Sequence, residues 1–215
     1  AKPLSENSEY PLQLTGPFAL KSVSIEVSKT SQFHSALMLM APRTNGFKIE
    51  TNGEAVSRKH SDLTWDLCKK TGAVNPGEPW IVKCPDVVMP SDASMMAFAK
   101  LAGLDVENAP EVADSIGHDL DNNFLRDSND LITPMAAWLA LGDGGTISGA
   151  KHAAFKESNR ITKTAELLSK FGITSTINVD GITVQGGQIP VRPQGIVETF
   201  DDHRIQMTAI LLATK

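Results

Sequence analysis

The chain is poor in the features that mark several protein classes. Its 215 residues include only two cysteines, Cys68 and Cys84, without metal-ligand spacing. Both lie in apolar or strand-like surroundings, so both are expected to be buried free thiols in a reducing compartment. No apolar run approaches the ~18 residues that a membrane-spanning helix needs. The opening segment, Ala1-Lys2-Pro3-Leu4-Ser5-Glu6-Asn7, has no signal-type apolar stretch, which makes a cytoplasmic protein with no membrane partner the expectation. Basic residues are also in deficit, with 20 Lys and Arg against 25 Asp and Glu and a formal net charge of -5. A sequence-independent nucleic-acid binder needs the opposite balance to displace counterions. Nucleic acid is therefore excluded as a general partner, and any anionic ligand must be held by local basic clusters.

What remains is ordinary globular composition, 41% hydrophobic and 21% charged, enough for one large or two small domains. Its organisation is repetitive. Four times a small polar or acidic cluster precedes an apolar helix-like run. Thr30-Ser31-Gln32-Phe33 stands before SALMLMA, Ser91-Asp92-Ala93-Ser94 before MMAFAKLAG, Asn129-Asp130 before LITPMAAWLALG, and Asp201-Asp202-His203-Arg204 before IQMTAILLA. Side-chain oxygens of these types accept from the unpaired N–H groups that open a helix.

Two of the runs lead into a second matching stretch. The first continues through FKIET, a loop at Ser57-Arg58-Lys59-His60, an amphipathic SDLTWDLCKKTG and a strand-like WIVKC. The third continues through GTISGA, a loop at Lys156 to Arg160, an amphipathic ITKTAELLSKFG and a hairpin-like STINV-DG-ITVQ. Gly72 and Gly172 read as the residues that end the two amphipathic helices. Such self-similarity marks a fold assembled from copies of one supersecondary module. The second copy is shortened between Leu101 and Asn129, and the fourth stops at Lys215 directly after its first helix, which suggests an incomplete chain.

The same polar clusters carry the candidate chemistry. Lys156-Glu157-Ser158-Asn159-Arg160 sets two cations around a carboxylate. It is either an anion site or a solvated segment capped by Ser158. Arg204, beside helix N-terminal amides, suits a phosphate or carboxylate, or else a salt-bridged cap. Thr30, Ser31 and Gln32 offer neutral donors at another helix start. Asp130 is a cap or a general base. Because the repeat places all four at equivalent helix starts, packing could gather several positive helix ends around one anion. Lys156, Arg160 and Arg204 are then expected to converge without carboxylate partners, with Asp130 and Glu157 on opposite sides.

These residues resemble the signatures of the enolpyruvyl transferases of the EPSP-synthase family. KESNR is similar to KE(S/T)DR, DDHR to NDHR, TSQF to SSQF and SDAS to DxSSA, in the family's order from about Tyr10 onward. Asp130 falls where the family keeps a catalytic Asp. The resemblance implies an α/β (α+β) fold of repeated βαβαββ modules in two lobes, here incomplete. Residues 1–89 would be the third module of the first lobe, with a hinge near Met89-Pro90. Residues 90–215 would be the second lobe, modules four to six, the fourth shortened and the last truncated. A missing N-terminal fragment would supply the first two modules, and a phosphoenolpyruvate-binding Lys near the extreme C-terminus would be absent.

The implied reaction transfers the enolpyruvyl group of phosphoenolpyruvate to the 5-hydroxyl of shikimate 3-phosphate with release of phosphate, and needs neither metal nor organic cofactor. Thr30 and Ser31 would hold the 3-phosphate, Ser57 would contact the same substrate, and Gln32 would touch both substrates. Asp130 would take the proton of the attacking hydroxyl, Glu157 would protonate the methylene, and Lys156 would bridge the reacting groups. Arg160 and Arg204 would clamp phosphoenolpyruvate, with His203 beside them. Three positions depart from the pattern: Asn159 replaces the usual Asp, His60 a common Tyr, and His152 a common Asn that contacts shikimate. Two other readings stay open: a non-catalytic module that keeps the fold and binds an anion or a protein partner, and a transferase acting on a different hydroxylated substrate.

Overall fold

The computed structural model describes residues 2–5, 8–86, 92–106 and 124–215. The expected hinge at Met89-Pro90, the Ser91 of the second polar cluster and most of the shortened segment after Leu101 lie outside the described residues. The chain opens with an antiparallel pair, β1 (Lys2–Ser5) and β2 (Ser8–Gln13), which the repeat pattern did not foretell.

The first half is built on a β-α-β crossover. β3 (Ser22–Glu26), α1 (Gln32–Met40) and β4 (Lys48–Asn52) follow one another, and the two strands pair in parallel with Val23 opposite Ile49. Parallel neighbours need such a crossover because a short turn cannot return the chain to the same end of the sheet. α2 (Arg58–Lys70) ends at Gly72, whose φ of +111° suits a helix terminus. Met38, Cys68 and Ala73 form a small buried cluster against which Ile49, Trp65 and Trp80 pack.

Two expectations fail here. WIVKC forms no strand: Trp80 packs on the cluster and Lys83 N–H donates to Thr71 O, but Ile81 and Val82 are exposed with no ladder partner among the described residues. β-branched residues favour strands only where a neighbouring surface receives them. Of the two free cysteines, Cys68 is buried as expected, whereas Cys84 in this irregular segment is exposed.

The larger core surrounds α4 (Ile132–Leu141), entered through a 3-10 turn at Asn129–Leu131. Its sequence is apolar on every side, so it can only be stable when enclosed; eight of its ten residues are buried. Pro134 sits in the first turn, where its missing N–H costs no hydrogen bond. α3 (Ala93–Ala102), α5 (Arg160–Lys170) and α6 (His203–Leu212) pack around it. Thr133 and Thr164 share a buried 2.9 Å hydroxyl hydrogen bond between α4 and α5.

A three-stranded antiparallel sheet closes one side, in the order β5 (Gly144–Ile147), β7 (Gly181–Gln185), β6 (Ser175–Asn178). The predicted hairpin is present, with Asn178 opposite Gly181 across a two-residue loop. A Cβ on Gly181 would lie 1.9 Å from the Ile147 carbonyl oxygen, so only glycine allows β7 this close to β5. Asp180 also binds the next loop, its carboxylate accepting from Gly149 N–H and its carbonyl from Ala150 N–H, both at 2.8 Å.

Candidate active site

α5 and α6 enter the site with asparagine and aspartate caps. Asn159, rather than Ser158, caps α5 by accepting from Thr162 N–H at 3.2 Å, so the helix begins at Arg160. Lys156 ends a preceding 3-10 turn, and Lys156 and Arg160 therefore do not share a helical face. Asp202 caps α6 through Oδ1, which accepts from Arg204 N–H at 3.0 Å. Its second oxygen, Oδ2, accepts from Ser158 Oγ at 2.9 Å and from Arg160 Nε at 3.0 Å. One carboxylate thus starts a helix and anchors an arginine on its neighbour.

Arg160 is only 1% exposed. With Nε on Asp202, its Nη1 meets Asp130 and its Nη2 meets Glu157. Arg204, also buried, reaches the other oxygen of Asp130 at 3.1 Å and lies 3.5 Å from Ser94 Oγ, while its Nε has no partner among the described residues. Asp130 is therefore the meeting point of two arginines from two helices. The expectation of cations gathered without carboxylate partners is corrected: an unpaired buried guanidinium would be too costly, and three carboxylates satisfy the pair. Asp130 and Glu157 take the two terminal nitrogens of the same guanidinium.

The electrostatics follow from this packing. Burial works against the Asp130 carboxylate, but Arg204, Arg160 and then Lys156 outweigh it and hold its pKa below the ordinary value. Asp202 behaves alike, with burial opposed chiefly by the hydrogen bond and charge of Arg160. Burial lowers Arg160, yet Asp130 and Asp202 raise it further, so it stays charged. Lys156 is half-buried and forms no hydrogen bond or ion pair with any described residue. His152 is buried with Nε2 unpartnered among the described residues; burial and then Lys156 lower its pKa to about 4, so it is neutral near pH 7.

Residues of the first half approach through residues 54–58. Asn129 Nδ2 donates to Ser57 Oγ at 3.1 Å, Ser57 N–H to Arg126 O at 3.3 Å, and Arg58 N–H to Asp127 Oδ1 at 3.0 Å. Arg126 completes the contact by donating to Ala55 O and pairing with Glu54. Ser57 is thereby held, buried and at a φ of +50°, one residue from Asp130 through Asn129. His60 follows it on α2, its N–H bonded to Ser57 O.

Thr30, Ser31 and Gln32 sit at the start of α1. Thr30 Oγ1 accepts from Gln32 N–H at 3.2 Å, Ser31 is buried with its carbonyl 3.4 Å from Ser61 Oγ, and Gln32 is exposed. Lys29 stands over the Phe155 ring at 5.9 Å, which draws this segment towards Lys156 without a direct bond to the arginines. His203 is exposed and joins none of the bonds described. The sequence reading missed Asp202 as an arginine anchor and Ser94 as a neighbour of Arg204. In the sequence both read as helix caps, and cap chemistry masks their second role.

The turn before α6 is strained. Asp202 N–H closes it onto Thr199 O at 2.9 Å, and both central residues, Phe200 and Asp201, have positive φ, +54° and +56°. Such conformations cost about 1–3 kcal/mol each in residues other than glycine and persist only when surroundings hold them.

Fold and site together define an α/β protein whose helix starts gather a buried arginine–carboxylate cluster suited to oxyanions. Residues 82–215 match the family model of EPSP synthase (3-phosphoshikimate 1-carboxyvinyltransferase), and the chain belongs to that family. It is 27% identical over 251 aligned positions to the 3-phosphoshikimate 1-carboxyvinyltransferase of Methanothermobacter thermautotrophicus, covering 97% of this chain and 59% of the relative. The enzymes of that name from Thermococcus kodakarensis and Korarchaeum cryptofilum are 28% and 29% identical, with 94% and 89% of this chain and 59% and 54% of theirs covered. The chain thus spans little more than half the length of these curated relatives.

Proposed function

We propose that this chain carries part of the catalytic apparatus of a 3-phosphoshikimate 1-carboxyvinyltransferase, with phosphoenolpyruvate and shikimate 3-phosphate as substrates. The carrying observation is that Arg160 and Arg204, from separate helices, meet at Asp130. In this reading Arg160 and Arg204 exchange Asp130 for the carboxylate and phosphate of phosphoenolpyruvate, with His203 at the rim. Losing both cations raises the basicity of Asp130, which then takes the proton of the 5-hydroxyl as its oxygen attacks C2 of the enol. Glu157 protonates C3, and Lys156 neutralises charge between the substrates. Phosphate then leaves C2 with the proton held by Asp130 while C3 returns a proton to Glu157, restoring the double bond on the new ether. Ser57, Thr30 and Ser31 hold shikimate 3-phosphate, Gln32 touches both substrates, and His60 and His152 line the ring.

The architecture of this reading is two lobes of βαβαββ modules, 1–89 ending the first and 90–215 forming the second. The separate small and large cores, and the helix–strand–helix order in both halves, support it. A further fragment supplies what the relatives carry outside the matched span. The chain alone is therefore expected to release no phosphate at the ~1–1000 per second of ordinary enzymes, yet to bind phosphoenolpyruvate in a calorimetric titration. Arg204→Gln should abolish that binding. A native chain that ignores phosphoenolpyruvate, or an Arg204→Gln variant that binds it equally, would sink the reading.

A further inference from the structure

We propose that Lys163 and Phe200 are positioning residues for Arg160, forming a cation–aromatic clasp that holds the left-handed turn and, through it, the Asp202 carboxylate. Lys163 lies three residues after Arg160 on α5, so both side chains leave the same face. Its Nζ stands 4.0 Å from the centre of the Phe200 ring and is steadied by both oxygens of Glu166, at 2.9 and 2.8 Å. Two residues further on, Asp202 holds Arg160 Nε. The three-residue segment 200–202 is thus tied to α5 at both ends, once by a ring on a cation and once by a carboxylate on a guanidinium.

The strain gives the clasp its role. Positive φ is an outlier for a bulky aromatic residue, and a following aspartate in the same state compounds it. Packing alone does not enforce the turn. Phe200 is only partly buried, and with Glu166, Leu167, Lys170, Ile196 and Glu198 it lines a cavity of about 300 Å³. The ring face on Lys163 therefore adds to the Asp202 N–H bond to Thr199 O and the bonds of the Asp202 carboxylate a contact from α5 that resists relaxation of the turn. If the turn relaxed, Asp202 would withdraw from Nε, leaving the guanidinium held only through Nη1 and Nη2 and its fork less firmly fixed.

The structural claim stands on this geometry, and its consequence for phosphoenolpyruvate rests on the function proposed above. The test reads Arg160 directly in the ligand-free chain, by hydrogen exchange of its Nε–H in proton–nitrogen spectra, the signal being assigned by its loss in Arg160→Lys. Lys163→Met and Phe200→Leu should each speed that exchange by about tenfold, the scale of one cation–aromatic contact. Lys163→Arg and Phe200→Tyr, which keep the contact, should restore protection, and α4 amides should exchange at native rates throughout. Native protection of Nε–H in both disruptive variants would overturn the clasp. So would an equal loss of protection at the α4 amides, which would mark general loosening. A second arm titrates phosphoenolpyruvate, for which Lys163→Met should weaken binding by about tenfold. Absence of binding by the native chain alongside the expected exchange pattern would remove the functional reading and leave the clasp in place.

Discussion

Arg160 and Asp202 form a 3.0 Å ion pair with 2% and 0% of their side chains exposed, although 42 residues separate them. A buried pair resists the removal of one partner far more than its net contribution to folding suggests, because the survivor is left charged and desolvated.

Asp202→Asn is expected to destabilise the chain by about 1–3 kcal/mol, less than an isolated buried pair would lose, because Arg160 keeps Asp130 and Glu157. Asparagine caps helices as well as aspartate does, so the loss belongs to the ion pair and not to α6. Denaturant unfolding measures it. A change under ~1 kcal/mol, the value of an exposed pair, would show that water reaches Arg160.

Asp130→Asn separates stability from binding. Its carboxylate is partly exposed and serves two arginines, so removing the charge should cost about 1–3 kcal/mol. The same change frees both arginines, and affinity for phosphoenolpyruvate should rise several-fold, as expected for a like charge removed within a few ångströms at an effective dielectric constant of ~20. Calorimetry decides, and weaker binding by the variant would rule out the partner exchange at Asp130.

Much of this arrangement was legible because cap chemistry and apolar period are local. The four polar clusters did open helices at or beside their residues, α4 declared its burial through its unbroken apolar run, and Val179-Asp180 turned a hairpin. What could not be read depends on distant partners. WIVKC has strand composition but no described neighbour to pair with. Asp202 and Ser94 acquire their roles only when α3, α5 and α6 meet around α4. The order Lys-Glu-x-x-Arg names the charges at the site, whereas the neutralisation of Arg160 by three carboxylates comes from three separate segments.

Gly181→Ala tests the sheet contact that supports the 150–156 segment. The new methyl group would collide with the Ile147 carbonyl, a backbone atom that cannot turn aside. The φ of Gly181 is ordinary, so the penalty is one of space and should reach roughly 2–3 kcal/mol, in the range of overpacked cores. Thermal unfolding should show it as a lowered midpoint. An unchanged midpoint would mean that β7 shifts away from β5 at little cost.

Acid should weaken the fold in two separate windows, and His152 accounts for the upper one. In the folded chain its pKa falls from 6.5 to about 4, because burial and Lys156 oppose the charged ring more strongly than Asp127 and Asp130 favour it, while Arg126 opposes it too. Between those values the unfolded chain binds a proton that the folded chain refuses, so stability falls as pH falls from about 6.5 towards 4. The full effect is up to about 3 kcal/mol, at about 1.4 kcal/mol for each pKa unit. Asp130 and Asp202 act below that range: their folded pKa values lie under the ordinary 3.8, so their contribution is intact above it and is lost only as pH falls further. Urea midpoints at pH 7 and 4.5 isolate the histidine, and His152→Asn should remove most of the difference between them. Half-buried His34, also lowered by burial, and the carboxylates of Glu26 and Glu50, lowered chiefly by their hydrogen bonds with Ser28 and Lys48, leave a residual slope. Equal midpoints at the two pH values in the native chain, or an undiminished fall in His152→Asn, would show that His152 is protonated in the folded chain and that its unpartnered Nε2 is satisfied in solution.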